Sequence, residues 1–425
     1  MPRPDATTIG QITTSGRQVT RRVWEADVLV VGAGPAGSAV AMQLAVADWD
    51  VLLVDRARFP RDKTCGDGLT PRAVKALQEL GVLDKVAAQA HCVTGADLFS
   101  PSGYRLHVNF ADYLDGWPHF GLTIPRFQLD DTLREHARAQ GARFLPDCKV
   151  LGPVASDVVG RGDLLGQCGG EPCLLRARLV ILATGVNLPL LRAWGFVNRM
   201  PPTVSAARAY WEGVRDPSEN FEFYFDRRLD RGYAWLFPLG GGRANIGLGL
   251  FPHGRQEPPS AARELLPFLE QHPALAQRLQ GARRAGPVKG YPLRTDFPRH
   301  PVVRDGVMLV GEACGLVNPV TGEGIDLALE SGLLAAEVAD RALRDGRPNM
   351  RGLSPYEREL RARFARFFWE MRWMVRLAMR PRALDILIRQ SLRHSELARV
   401  IIHITLGFVL PHMAFTPQVW RALLS

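Results

Sequence analysis

Three glycines of this 425-residue chain stand at a spacing that suits phosphate binding. They are Gly32, Gly34 and Gly37, in the sequence G-A-G-P-A-G. In a G-x-G-x-x-G turn the first glycine permits a tight turn, the second lets a pyrophosphate approach the backbone, and the third allows close helix–strand packing. The amides that open the next helix then point at the phosphates. The predicted pyrophosphate site consists of Gly32, Ala33, Gly34, Pro35, Ala36 and Gly37.

An acidic residue, Asp55, follows 18 residues after Gly37 and precedes Arg56. The flanking runs Asp27–Val31 and Asp50–Val54 have the apolar character of buried strands. Strand, glycine turn, helix, strand and acid is the order of a dinucleotide-binding unit, in which the acid accepts hydrogen bonds from ribose hydroxyls. We therefore predict that Asp55 and Arg56 bind the nucleotide. A carboxylate at this position favours FAD or NAD over NADP.

A second glycine cluster lies late in the chain and favours FAD over NAD. Glu312 follows an apolar run in the sequence G-E-A-C-G, and the turn Asn318–Ile325 reads N-P-V-T-G-E-G-I before a helix-like segment. A carboxylate after a strand can bind ribityl hydroxyls, and a glycine-rich turn that opens a helix can offer amides to a flavin ring oxygen. The predicted cofactor contacts here are Glu312, Gly322, Gly324 and Ile325.

Cys65 lies in a glycine-rich loop, D-K-T-C-G-D-G-L, at Asp62–Leu69. On its own it fits four roles: nucleophile, redox switch, metal ligand or packing residue. The six cysteines include no C-x-x-C pair and the histidines lack metal-ligand spacing, so no metal site is predicted. No base for a nucleophile is evident. Because no apolar leader follows Met1, we expect free thiols in a reducing, cytoplasmic compartment.

Two kinds of sequence pattern alternate along the chain. Short apolar runs at Asp27–Val31, Leu179–Ala183 and Val307–Val310 are typical of a parallel sheet, whereas 201–289 is aromatic and strand-like. The predicted fold class is α/β with α+β character: an interrupted Rossmann-like FAD-binding domain, an inserted β-sheet substrate domain and a C-terminal helical segment. The predicted boundaries are a loose tail at 1–24, FAD-binding segments at 25–90, 120–200 and 290–345, substrate-binding segments at 91–119 and 201–289, and a helical segment at 346–425.

The C-terminal segment carries much of the net charge of +10, with 12 arginines and 5 acidic residues between Arg351 and Arg399. Its arginines interleave with apolar residues, as in a basic amphipathic helix on anionic lipid headgroups. The alternative is a helix packed on its own protein. No apolar run reaches the ~20 residues of a transmembrane helix. We expect peripheral contact with the inner face of the membrane through 346–425, and no nucleic-acid binding. The apolar positions are Phe364, Phe367, Phe368, Met371, Trp373, Met374, Val375 and Leu377.

Three longer motifs resemble those of the geranylgeranyl reductase family, flavoproteins of the para-hydroxybenzoate hydroxylase-like fold. They are F-P-R-D-K-T-C-G-D-G-L-T-P-R at Phe59–Arg72, G-Y-A-W-L-F-P at Gly232–Pro238 and the Asn318–Ile325 turn. The resemblance covers about Asp27 to Leu343 and looks most like bacterial menaquinone-type reductases. It implies an FAD-dependent oxidoreductase that saturates trisubstituted C=C bonds of isoprenoid chains, either geranylgeranyl-type chains or the menaquinone side chain, by hydride transfer from reduced flavin.

The resemblance also implies roles for single residues. The implied catalytic residues are Tyr233, Trp235 and Cys65. The implied cofactor contacts are Cys65, Gly66, Asp67, Arg126 and Val150, and the implied substrate contacts are Tyr210, Phe237 and Pro238. Alternation places Tyr233, Trp235 and Phe237 on one face of a strand, which is also typical of plain core residues.

One position departs from the family pattern, because G-E-A at Gly311–Ala313 replaces the usual G-D-A. The alternative function is a flavin-dependent monooxygenase or halogenase of the same fold. Hydroxylases of that fold typically carry A-D-G where this chain has Ala183-Thr184-Gly185, and halogenases carry W-x-W-x-I-P where it has Tyr233 and Phe237. Both differences favour the reductase. The expected partner is a prenyl lipid or prenyl quinone; the electron donor, NAD(P)H or ferredoxin, and the oligomeric state are left open.

Overall fold

The computed structural model describes residues 7–14, 17–154, 162–199, 201–229, 231–252, 256–417 and 419. The strands are β1 (Thr7–Thr14), β2 (Arg17–Val31), β3 (Val51–Val54), β4 (Gly68–Leu69), β5 (His91–Val93), β6 (Gly95–Phe99), β7 (Arg105–Asn109), β8 (Gly121–Thr123), β9 (Arg143–Leu145), β10 (Cys148–Pro153), β11 (Gly162–Cys168), β12 (Glu171–Leu182), β13 (Thr203–Glu212), β14 (Asn220–Tyr224), β15 (Gly232–Pro238), β16 (Arg243–Leu250), β17 (Arg283–Arg284), β18 (Lys289–Arg294), β19 (Val303–Arg304) and β20 (Val307–Leu309).

The helices are α1 (Pro35–Val46), α2 (Pro71–Glu79), α3 (Leu83–Ala87), α4 (Phe110–Tyr113), α5 (Arg126–Ala139), α6 (Leu188–Ala193), α7 (Ala261–Gln271), α8 (Pro273–Arg278), α9 (Ile325–Arg344), α10 (Met350–Ala378), α11 (Pro381–Ser391) and α12 (Ser395–Thr405). Short 3-10 turns lie at Gly311–Cys314 and Pro411–Phe415.

A large sheet forms the first half of the core. Its strand order is β10-β11-β12-β2-β3-β9, and β20 extends it beside β12. Strands β2, β3, β9, β12 and β20 pair in parallel, so their apolar runs are covered on both faces. The run Val51–Val54 is fully buried, and α1 and α9 pack against each other beside the sheet. The β2-α1-β3 order and the late return through β20 are those the sequence predicts.

A second, mostly antiparallel sheet has the order β17-β13-β16-β15-β14-β6-β7, with β18 beside β13. The strand residues alternate between its two faces. One face packs under α7, where Leu236, Ile246 and Leu248 join Leu265 and Phe268. The other face carries aromatic side chains toward the first sheet. Strands β4, β8 and β5 form a small third sheet. This arrangement confirms the predicted fold class.

The predicted loose tail is wrong for most of its length. Thr7–Thr14 pairs antiparallel with Arg17–Trp24, so that the segment extends the large sheet. β-Branched Thr, Ile and Val recur through both strands and favour this conformation. Residues 1–6 lie outside the described residues. At the other predicted boundary, β18 pairs with β13 in the second sheet through Arg294, a few residues past 289.

The expectation that the cysteines are free thiols is wrong for one pair, because Cys148 and Cys168 form a disulfide. The two residues are direct partners in the antiparallel register of β10 and β11, which places their side chains on the same face. A separation of 20 residues hides this pairing from a search for C-x-x-C spacing. Cys173 on β12 lies beside them, with the three sulfur atoms within 4.8 Å of one another.

The C-terminal segment is helical, as predicted, but most of its apolar residues face inward. Phe364, Phe367, Phe368, Met371 and Val375 belong to the main hydrophobic core. Of the predicted set, Trp373 is exposed, and the other large apolar residues exposed in the described part of α10 are Met350 and Trp369. Trp369 was absent from the predicted lipid-facing set. In the described part of the chain, no helix is both long and apolar enough to cross a bilayer.

Candidate active site

One cavity of about 560 Å³ extends between the two large sheets and beneath the C-terminal helices. Backbone turns and charged residues line one end, and aromatic and aliphatic side chains line the other. We call these parts the polar end and the apolar arm. The polar end is formed by Gly32, 34–36, 54–57, 61–66, 148–150, Arg126, Glu312 and 320–325. The apolar arm is formed by Ala96, Leu98, Leu106, Val108, Phe110, Phe221, Phe223, Phe225, Tyr233, Trp235, Phe237, Phe251, Met379, Ile401, Ile402 and Leu406.

Steric contacts explain the glycine turn at the polar end. Gly32 has φ +107°, and a Cβ there would meet the Ala183 carbonyl oxygen at 2.4 Å. A Cβ on Gly37 would meet the Gly32 carbonyl oxygen at 1.9 Å. A Cβ on Gly34 would instead make ordinary contacts, 3.6 Å from Arg61 Nη2 and 3.8 Å from Arg126 Nη2, so this glycine faces two guanidinium groups before the first turn of α1. The cradle therefore fits a pyrophosphate, which needs bare backbone at Gly34 and the amides of a helix N-terminus.

The two guanidinium groups that face Gly34 belong to Arg61 and Arg126. Arg126 binds Asp130 through two hydrogen bonds of 2.7 Å, and Arg61 contacts the same carboxylate at 2.8 Å. Asp130 is fully buried and Arg126 is 3% exposed. Arg61 also lies 3.7 Å from the carboxylate of Asp55. The two guanidinium groups next to Gly34 therefore pair with two carboxylates, and N–H groups of this kind can make charge-assisted hydrogen bonds to an anionic ligand. Arg61 was missed as a site residue, although it lies inside the F-P-R-D motif.

Carboxylates frame the two sides of the polar end. Asp55 accepts hydrogen bonds from the amides of Ala33 and Ala57, both at 2.9 Å, which fixes the turn beside β3. Glu312 accepts from the amide of Arg294 at 3.3 Å, and Lys63 lies 3.6 Å from it. Asp55, Arg56, Val150 and Glu312 all line the cavity. The carboxylates of Asp55 and Glu312 can accept further hydrogen bonds from ligand hydroxyls.

A network of buried hydrogen bonds holds the loop that carries Cys65 in place. Asn245 donates to the Cys65 carbonyl and to the Asp67 carboxylate, both at 2.8 Å. Tyr210 donates to the same carboxylate at 2.7 Å, and the amide of Arg126 donates to its other oxygen at 3.3 Å. Burial raises the pKa of Asp67 to about 6, against these hydrogen bonds, which lower it. The network holds Cys65 and Gly66 against the cavity.

Asn245 also sets the orientation of the aromatic wall. The Trp235 indole N–H donates to its side-chain oxygen at 3.0 Å, while Tyr233, Trp235 and Phe237 project from β15 into the cavity. A Cβ on Gly66 would meet the Phe237 ring at 3.0 Å, so the loop and the wall are in contact. Asn245 was missed by sequence reasoning. The available signal is a single polar residue within the buried run A-N-I-G-L-G-L of β16.

Three comparisons with known proteins bear on this site. The family model described as an FAD binding domain matches residues 25–233. A menaquinone reductase of Mycolicibacterium smegmatis is 33% identical over 93% of this chain and 95% of its own length. A digeranylgeranylglycerophospholipid reductase 1 of Methanothermobacter thermautotrophicus is 33% identical over 79% of this chain and 82% of its own.

The chain belongs to the geranylgeranyl reductase family. It is an FAD-dependent oxidoreductase of that type. A geranylgeranyl bacteriochlorophyll reductase-like protein of Thermoplasma acidophilum has the same fold, with a TM-score of 0.75, 23% identity and coverage of 94% of this chain and 96% of that one. The flavin-dependent brominase Bmp2 gives a TM-score of 0.71 at 19% identity, covering 94% and 98% of the two chains. Both likenesses show the fold alone.

Most of the site residues predicted from the motifs or implied by the family resemblance reach the cavity. Those lining it are Gly32, Gly34, Pro35, Ala36, Asp55, Arg56, Cys65, Gly66, Arg126, Val150, Tyr233, Trp235, Phe237, Glu312, Gly322, Gly324 and Ile325. Others lie behind it. Asp67 and Tyr210 form a hydrogen bond beneath the loop. The carbonyl of Pro238 accepts a hydrogen bond from the Thr123 hydroxyl. Ala33 and Gly37 shape the glycine turn from behind. These residues support the cavity wall rather than line it.

Proposed function

We propose that this family member saturates C=C bonds of a prenyl quinone side chain, with the menaquinone chain as its first candidate substrate. The observation that supports this proposal is that the polar end, which fits FAD, and the apolar arm are continuous parts of the same cavity. Curated relatives named menaquinone reductase support the choice of chain.

The residues of the polar end have distinct tasks toward FAD. Gly34, the N-terminus of α1, Arg61 and Arg126 would hold the pyrophosphate; Asp55 would bind a ribose and Glu312 the ribityl hydroxyls. When bound in its reduced form, FAD supplies a hydride. The amides of the Gly322–Ile325 turn at the start of α9 would bind a ring oxygen.

The apolar arm supplies binding and orientation for the chain. Its walls come from β6, β7, β14 and β15 on one side and from α12 on the other. Buried apolar walls exclude water, and the faces of Tyr233, Trp235 and Phe237 stabilise positive charge that develops on a trisubstituted alkene carbon. The hydrogen bond from Trp235 to Asn245 fixes the ring that would orient the chain.

We further propose that the protein contacts the membrane through the exposed ring pair of α10. Trp369 and Trp373 are 58% and 49% exposed, and their ring centroids lie 6.3 Å apart. Arg376 lies over the Trp373 ring at 5.1 Å, and Arg380 follows at the end of the helix. Trp beside Arg suits an anionic headgroup layer. Met379, next to Arg380, lines the apolar arm, so a lipid chain would have a short path from this surface.

The test uses purified holoenzyme under strict anaerobiosis with menaquinone in detergent and excess dithionite, which keeps both the flavin and the quinone ring reduced. This reductant makes the natural electron donor unnecessary. We expect mass spectrometry to show a side chain heavier by two hydrogen atoms per bond saturated, and Trp235→Ala to lose most of that product. An unchanged side chain, or a product formed only after oxygen is admitted, would refute the proposal and favour the monooxygenase or halogenase alternative.

A further inference from the structure

Three carboxyl groups and one guanidinium lie together where the Asn318–Ile325 turn meets α2. They are Glu323, Asp326, Glu330 and Arg72. Arg72 donates to both oxygens of Glu330, at 2.7 Å for the Nη2 contact, and to the Gly407 carbonyl at 3.3 Å. Its Nε lies 3.9 Å from Asp326. The charge of Arg72 is therefore committed mainly to Glu330.

Among the described residues, the other two carboxyls accept no hydrogen bond from a cation, and the side-chain hydrogen bond of Glu323 is to Thr70. Within the described residues, Glu323 Oε1 and Asp326 Oδ1 are both buried and have no hydrogen-bond partner. Ionising all three acids would leave two negative charges unbalanced by Arg72 in a buried site, which costs more than retaining a proton. Burial and the nearby Asp326 raise the pKa of Glu323. The cluster therefore retains a carboxylic proton.

Of these two acids, Glu323 is the one that lines the cavity. It lies between Gly322 and Gly324, in the turn assigned to the flavin ring. Tyr233 is next to it, but its hydroxyl donates to the Thr321 carbonyl, and burial raises the Tyr233 pKa. The tyrosine is consequently a poor proton source. The charged and titratable groups around Glu323 are Arg72 from α2, Asp326 and Glu330 from α9, and Tyr233 from β15. Cys65 lies near Tyr233.

We propose that Glu323 is the acid that protonates the alkene, an inference that rests on the proposed function. The O–H bond of Glu323 breaks and a C–H bond forms at one alkene carbon, while the adjacent carbon receives the hydride supplied by reduced FAD. The alkene gains two hydrogens and Glu323 is left as a carboxylate. Arg72 is the nearest cation for that transient charge. Solvent then returns the proton.

The experiment compares wild-type holoenzyme with Glu323→Gln, which keeps the shape but cannot act as an acid, and with Asp326→Asn as the control from the same cluster. Infrared difference spectra of ¹³C-glutamate-labelled oxidised enzyme report the protonated carboxyl without turnover. Anaerobic single turnovers of the reduced enzyme with a geranylgeranyl lipid report the chemistry. General-acid removal is expected to slow saturation by about 10²–10⁴-fold. FAD content and lipid affinity should remain as in the wild type.

The outcomes separate this inference from the proposed function. The proposal predicts an infrared band from a protonated carboxyl at neutral pH in wild type and in Asp326→Asn. In Glu323→Gln this band should be absent, and the rate of prenyl-chain saturation should fall. Wild-type turnover in Glu323→Gln, or a wild-type spectrum without the band, overturns the role of Glu323 and leaves the reductase intact. A wild-type enzyme that saturates no prenyl chain overturns the proposed function and this role with it. If Glu323→Gln does not fold, the wild-type spectrum and Glu323→Asp decide the question.

Discussion

The polar end and the apolar arm of the one cavity are built by different means. At the polar end, backbone turns and paired charges form the wall, and a methyl group at Gly32 or Gly37 would collide with backbone atoms. In the apolar arm, aromatic and aliphatic side chains from β6, β7, β14, β15 and α12 form the wall. The difference implies that a substitution at the polar end abolishes ligand binding, whereas substitutions in the apolar arm change the shape of the wall and weaken binding by degrees.

The largest expected effect comes from Gly34→Ala. The added methyl fits the protein itself, since its nearest neighbour would be 3.6 Å away, but it occupies the space assigned to the pyrophosphate. We expect a folded protein whose melting temperature without FAD equals that of the wild type and whose flavin absorbance is lost. Gly249→Ala is the matched control in the apolar arm, where a Cβ would lie 4.0 Å from Trp235. It should purify yellow; equal flavin content in both variants would contradict the comparison.

Asn245→Leu should have the next largest effect, because Asn245 joins the two regions. The change removes two donors and one acceptor from a fully buried network and leaves Asp67 with fewer partners. A buried group left unpaired costs about 1–3 kcal/mol. Urea unfolding should show a loss of that size. If Asn245→Leu lowers the free energy of unfolding by the same amount in an Asp67→Asn background, the side chains of Asn245 and Asp67 are not coupled.

Asp67 should also make stability depend on pH. Because its pKa is raised from 3.8 to about 6, the folded state binds the proton more tightly than the unfolded state. Its contribution is fully present below pH 4 and is lost as the pH rises to about 6, by on the order of 2–3 kcal/mol. Unfolding free energies of Asp67→Asn should fall less over that interval than those of the wild type. Parallel curves would show that Asp67 does not titrate there.

A smaller effect is expected from Phe223→Leu in the apolar arm. Phe223 lines the cavity and packs edge-on against Phe237, with ring centroids 5.4 Å apart. Loss of ring contact with the chain should raise KM for a long prenyl substrate roughly tenfold, in line with the 1–3 kcal/mol of small changes in apolar pockets. Flavin content should not change. Phe99→Leu, on the neighbouring β6 and stacked on Tyr224, is the control and should leave KM unaltered.

The smallest effect on the folded protein is expected from the double change Trp369→Ala and Trp373→Ala. Both rings are about half exposed, so the free energy of unfolding should stay within about 0.5 kcal/mol. Sedimentation with anionic vesicles should nevertheless weaken several-fold, and high salt should weaken it further. Met350→Ala, another exposed apolar residue of α10, is the control. Unchanged vesicle binding by the double variant would remove this surface from the membrane proposal.

The contrast also explains how far the sequence could be interpreted. The polar end depends on glycine and on strand–turn–helix order, and G-A-G-P-A-G and N-P-V-T-G-E-G-I carry that information locally. The apolar arm depends on which strands become neighbours, so Leu98, Phe223 and Ile402 give no local signal that they share a wall. Pairing across distant strands likewise hid the Cys148–Cys168 disulfide. The face that α10 buries was misassigned because an apolar stripe fits a protein core and a bilayer equally well.

One measurement tests the central claim, that reduced FAD in this cavity saturates an isoprenoid chain. Stoichiometrically reduced holoenzyme is mixed anaerobically with a lipid bearing a geranylgeranyl chain, and flavin absorbance is followed. The lipid carries no quinone ring, since such a ring would itself oxidise the flavin. We predict flavin reoxidation with one saturated bond per flavin, and none with the fully saturated lipid. Flavin that stays reduced with both lipids, while prenyl quinones also keep their double bonds, would contradict the account.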